Sequence, residues 1–177
     1  MSLLPPGPDA PAPLRWLAGM VDACIVLLGG ALVLVVFSNV VLHAFDQDIA
    51  WTTEFGELVM VWTTFLGVAA AVHRNAHMAV SELIDLLPEP RPRLLADAVI
   101  QLAVASVLVL LVWKGGVAAD AGWGSVLTVL QWPMAVQNLS LPVCSVIALV
   151  FVAWDLLQIA RGVPRQQRYA SSNVSTA

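Results

Sequence analysis

The ionisable side chains of this chain are few, and several stand at helical spacing. Glu54 and Glu57 are three residues apart. On a helix they share a face, where two carboxylates can accept hydrogen bonds, couple to a cation, or sit at a helix N-terminus, whose dipole favours anions. His73 and His77 are four apart, the spacing from which two imidazoles on one helix face grip a metal or a haem iron. No cysteine or third histidine stands near them, and His43 falls at the far end of another apolar run. An interfacial, hydrogen-bonded histidine pair is therefore expected, and no metal or haem. Asp22, Asp97 and Asp155 lie near the ends of apolar runs, with Arg15, Arg74, Arg93 and Arg161 within reach. Ion pairs or snorkelling at helix ends are the expectation there, rather than a transport path. Cys24 and Cys144 sit inside apolar runs and read as small buried hydrophobes, not as a disulfide or a metal pair. With no glycine-rich phosphate loop and no serine, histidine and acid set that the topology would unite, neither catalysis nor a bound cofactor is expected.

The elements that place these groups follow from composition. The 177 residues are 59% hydrophobic and 11% charged, with a mean hydropathy of +0.84, which leaves too little polar surface for a globular domain in water. The class is an all-α, polytopic membrane protein. Four crossings of roughly 20 residues use most of the chain. A net charge of -4, from 12 acids and 8 bases, offers no basic face for nucleic acid, so the bilayer is the expected partner surface.

In order, residues 1–14 hold five prolines and one acid and are expected to form a disordered tail. The membrane domain spans residues 15–160, with helices at about 16–45, 55–74, 94–116 and 133–157, and residues 161–177 make a basic and then polar tail. The first run is too long for a signal peptide and is read as a retained helix. The last crossing starts near Pro133, a residue suited to a helix start, with a kink expected at Pro142. Within residues 77–87, Met78, Val80, Leu83, Ile84 and Leu87 recur at helical spacing opposite Ser81, Glu82 and Asp85, as in an amphipathic helix lying in the membrane surface. Pro88 ends it.

Orientation comes from lysine and arginine. Arg15, Arg74, Arg91, Arg93, Arg161, Arg165 and Arg168 fall on one side, and Lys114 alone on the other. Both termini and the interfacial helix are thus expected to be cytoplasmic, with the connections near residues 46–54 and 120–132 outside. This topology puts Glu57 and Lys114 about one turn inside the outer surface, and an ion pair between them is expected. Small residues at Gly29, Gly30, Gly67 and Ala71 permit close helix contact, within the bundle or with a partner.

These residues resemble the small membrane subunit, of DctQ type, of tripartite ATP-independent periplasmic (TRAP) transporters. The resemblance rests on Trp51 and Glu54, on Trp62 and Gly67 within the VWTTFLG stretch, on Ala71, Arg74, His77, Met78 and Val80, and on the LLP ending at Pro88. Further on it rests on WPM around Pro133 and LPV around Pro142, and it covers about residues 16–160. The chain departs from that pattern at Glu57, more often basic, and Ser81, more often acidic. The resemblance implies a supporting subunit in the bacterial inner membrane. A large membrane subunit would carry the substrate and sodium sites, and a periplasmic binding protein would deliver an organic acid, with the outer connections available to it. It implies no catalytic, cofactor or metal residue. Two other classes fit the composition: a haem- or quinone-linked membrane anchor of an oxidoreductase, and a small self-assembling exporter with Glu57 as its coupling acid.

Overall fold

A computed structural model describes residues 11–47, 49–74 and 90–162, with side chains in the last stretch from residue 95. It contains helices α1 (Ala12–His43), α2 (Thr52–His73), α3 (Pro90–Ala121), α4 (Ala135–Asn138) and α5 (Ser140–Ala160), with a 3₁₀ turn at Gly122–Gly124. Among the described residues four stretches are long and apolar enough to cross a membrane: Ala12–His43, Thr52–His73, Leu95–Gly124 and Ala135–Ala160. Extended pairing among the described residues is limited to one bridge between Val126 and Pro133. The amphipathic helix expected at residues 77–87, with His77 and Pro88, lies outside the described residues.

Proline chemistry explains where the helices begin and break. α1 starts at Ala12 behind Pro11 and carries Pro13 in its first turn, so residues 12–14 are helical and not part of a tail. Proline suits a first turn, where its missing N–H would have had no partner. Pro133 does not open a helix. Its neighbour Met134 donates its N–H to the Ser125 carbonyl at 2.9 Å, which commits both residues to a hairpin, and α4 begins at Ala135. Pro142 acts one turn upstream of itself. It can donate nothing to the Asn138 carbonyl and crowds it, and the helix breaks at Leu139, between α4 and α5.

α2 and α5 form the centre, with α1 against α2 on one side and α3 against α5 on the other. The seams are lined with small residues: Ala69 and Ala148 are wholly buried, and they pack with Leu108 and Val152. A second cluster joins Val21, Leu66, Ala70 and Cys144, and a third joins Leu14, Ala18 and Phe151. Alanine lets backbones approach, and dispersion between closely packed helices is what holds a bundle together in lipid. The flanking helices are much less covered. No residue of α1 beyond Asp22 is fully buried, and Leu27, Val33, Leu34 and Phe37 of α1, like Leu102, Val109 and Trp113 of α3, are exposed. Cys24 is exposed and Cys144 buried; neither forms a disulfide.

Candidate functional site

Two polar centres mark the two ends of the bundle. At the end carrying the 125–134 connection, the chain leaves the 3₁₀ turn as a hairpin: the Leu127 N–H donates to the Trp132 carbonyl at 2.8 Å, and Met134 returns to Ser125. Gln131 takes a left-handed conformation with φ of 56°, and Leu127 turns inward, 7% exposed. Glu54, in the first turn of α2, holds the tip. Its two carboxylate oxygens accept the Val129 N–H at 3.0 Å, and one also accepts the Leu130 N–H at 2.8 Å. Charge-assisted bonds of this kind are roughly twice as strong as neutral ones.

Three more contacts join the same end. The Trp62 indole N–H donates to the Val136 carbonyl at 3.1 Å, the Asn138 amide donates to the Ala118 carbonyl at 3.0 Å, and the Gln137 amide donates to Glu57 at 3.2 Å. The Lys114 ammonium, expected beside Glu57, stands 5.6 Å from the centre of the Trp113 ring. A cation over an indole face is an attractive alternative partner. Trp51 sits edge-on to Phe55, ring centroids 5.7 Å apart, and the Thr52 hydroxyl donates to the Ile49 carbonyl.

At the other end Asp22 is the hub. Its carboxylate receives the Arg74 guanidinium at 2.6 Å and lies 3.4 Å from the His73 Nε2. Accessibility is 3% for the Asp22 side chain and 1% for His73, but 44% for Arg74, so the arginine stem reaches in from solvent to a buried acid. The His73 ring tilts against Phe151 at 5.2 Å. The Gln101 amide donates to Asp155 at 3.4 Å, and Arg161 lies over Trp154 at 6.0 Å. His43 is exposed near the opposite end. Among the described residues no three His, Cys, Asp or Glu side chains gather as a metal site.

Sequence spacing placed Asp22 among several acids and Arg74 among several bases, but nothing in it singled out this pair. Nor did any pattern reveal Glu54 as an acceptor for backbone groups some 75 residues away. The small residues divide into two sets. Gly29, Gly30 and Gly67 have open space where a Cβ would stand. Close approach occurs instead at Gly115, where a Cβ would come within 2.8 Å of Pro142, and at Gly122, where it would meet the Ala135 backbone at 2.7 Å. An open apolar groove between α3 and α5 is lined in part by Val112, Gly116, Ala119, Trp123 and Val146.

A helical membrane bundle with polar fasteners at its ends is compatible with many transport proteins, and similarity to known proteins narrows the choice. The family profile described as "Tripartite ATP-independent periplasmic transporters, DctQ component" matches residues 32–162. The chain belongs to this DctQ family. That family is a transporter component, and the chain is a multi-pass inner-membrane protein. Relatives within reach include a TRAP transporter small permease protein of Haemophilus influenzae, 36% identical over 66 residues, which are 37% of this chain and 40% of the relative. Another is the C4-dicarboxylate TRAP transporter small permease protein DctQ of Vibrio cholerae serotype O1, 28% identical over 89 residues, 50% of this chain and 38% of the relative. The matched segments thus span about two fifths of each relative's length. Trp51, Glu54, Trp62, Gly67, Arg74, Pro133 and Pro142 of this DctQ subunit all lie within the matched region. Of these, Glu54, Trp62 and Arg74 make side-chain hydrogen bonds between elements.

Proposed function

We propose that this DctQ subunit braces the stationary part of a large TRAP membrane subunit. That partner would carry out sodium-coupled uptake of an organic acid delivered by a periplasmic binding protein. The observation that carries the reading is the distribution of exposed surface. The flanking helices present long apolar faces, with Leu27, Val33, Leu34 and Phe37 on one edge and Leu102, Val109 and Trp113 on the other. The acids and bases of the described residues gather toward the helix ends. An ionisable group at the bilayer centre costs roughly 2.5–3.5 kcal/mol on insertion scales, and a carrier accepts that cost to build its pathway. A brace has no need to.

In this reading both termini are cytoplasmic, the Asp22 end faces the cytoplasm, and the 125–134 end faces outward. The binding protein approaches the outward end, where the connection near Asp46 offers an exposed, acidic, water-facing segment. Gly67, open in this subunit, gives the larger partner a place for close helix contact.

The test is affinity purification of the tagged protein from native membranes in mild detergent, followed by reconstitution. A much larger polytopic protein is expected in equal amount, with sodium-dependent uptake only when that protein and the binding protein are both present. Uptake by this subunit alone would overturn the reading in favour of a self-assembling exporter. Recovery with redox subunits and a haem absorbance would overturn it in favour of an oxidoreductase anchor.

A further inference from the structure

The connection between α3 and α4 differs in chemistry from the one between α1 and α2. Residues 44–51 include Asp46 and Asp48, whereas residues 121–134, AGWGSVLTVLQWPM, contain no charged side chain. Trp123, Val126, Val129, Trp132 and Met134 are nevertheless 44–59% exposed. A connection of that composition, projecting five large apolar side chains, is poorly suited to water. It also begins and ends where two membrane-spanning stretches end, at Gly124 and Ala135.

Most of its turn and tip N–H groups are provided for in a way that an aqueous loop does not require. The N–H groups of Ser125, Leu127, Gln131 and Met134 are taken up by carbonyls of the connection and its flanking turn. Those of Val129 and Leu130, at the tip, are taken up by the Glu54 carboxylate, while those of Val126, Thr128 and Trp132 have no protein acceptor among the described residues and are left to headgroups and interfacial water. In water these donors would be solvated without help. Where water is scarce an unsatisfied backbone group is costly, so irregular backbone there leans on protein acceptors, and at the headgroup boundary polar headgroups and water can take the remaining donors. Indole side chains favour the boundary between headgroups and acyl chains.

We propose that residues 122–134 lie in the headgroup–acyl boundary of the phospholipid bilayer, anchored by Trp123 and Trp132, with Glu54 as the residue that holds the tip there. The surrounding partner is lipid, not a protein. This assignment is independent of the bracing role, because it concerns only where one connection sits.

The test places a nitroxide label at Val126→Cys or Val129→Cys in a Cys24→Ser background, leaving the buried Cys144. The protein, with whatever copurifies from its native membranes, is reconstituted in vesicles of phosphatidylethanolamine and phosphatidylglycerol. Asp46→Cys serves as an aqueous reference and Leu110→Cys as a mid-span one. Collision with oxygen is expected to exceed collision with a water-soluble nickel chelate at 126 and 129, the reverse of the order at 46. Adding Glu54→Ala is expected to shift the label at 129 toward nickel access while the label at 110 stays unchanged, which separates release of the tip from unfolding. Nickel access at 126 and 129 equal to that at 46 would overturn the proposal. Exclusion of both reagents would also overturn it, by showing that a protein covers the connection. No response at 129 to Glu54→Ala would remove Glu54 from it.

Discussion

Asp22 is a carboxylate almost closed off from solvent, and its stability rests on two neighbours of unequal kind. Arg74 brings a full charge from a partly exposed position, whereas His73 is as buried as the acid itself. Arg74→Ala strands the acid against His73 alone, and breaking a buried pair from one side costs about 3–5 kcal/mol. The lower end of that range is expected, because the Arg74 side chain is 44% exposed and not fully desolvated. Asp22→Ala is expected to cost less, about 1–3 kcal/mol for the unpaired His73, since Arg74 can turn to water. The double variant should then be more stable than Arg74→Ala alone, read as a higher melting temperature in detergent; equal or greater loss in the double would show that the pair is not coupled. Glu54→Ala, which frees two backbone donors, is expected to cost about 1.5–3 kcal/mol and to speed chymotrypsin cleavage within residues 125–134. At this scale the sequence was only partly legible. Helical spacing put Asp22 and Arg74 at helix ends, but pairing depends on how helices rotate about their axes, which spacing along one chain does not fix. For Glu57, depth pointed to Lys114, while the neighbour that the rotation of the helices supplies is the Gln137 amide.

Among the elements, the four long helices were readable because twenty-odd apolar residues without charge have few other options. Their ends were less so. α3 runs to Ala121 because Gly115 lets it lie directly against Pro142 and Gly122 lets its end touch Ala135. Those are tertiary facts with no local signature, since glycine at 29, 30 or 67 looks the same in sequence and touches nothing. Gly115→Ala and Gly122→Ala are therefore expected to destabilise by about 1–3 kcal/mol through overpacking. Gly29→Ala should instead be neutral or stabilising by up to about 1 kcal/mol, because alanine is the better helix former. Thermal melts of the three variants in one detergent check both expectations. Equal behaviour would show that the close contacts do not bear on stability. The break at Leu139 was partly foreseeable from Pro142, but its place was not. Proline disturbs the carbonyl four residues before it, so the interruption precedes the residue that causes it.

For the molecule as a whole, membrane class and family were legible, while the arrangement of helices was not, because apolar helices in lipid carry little directional information on any one face. The structure shows a row, α1, α2, α5, α3, with exposed faces at its edges. If those faces are covered by the large subunit, replacing α1-edge residues with bulk, for example Gly30→Trp, should leave the isolated subunit's melting temperature unchanged while lowering recovery of the larger partner. Unchanged recovery would move the contact to the α3 edge. The order of that row also differs from the order of synthesis. α3 is made third, but the helix that joins it to α2 is made after it. Until α5 takes its place between them, α3 lacks the helix that ties it to α2, so α3 is expected to be the least protected of the long helices during synthesis.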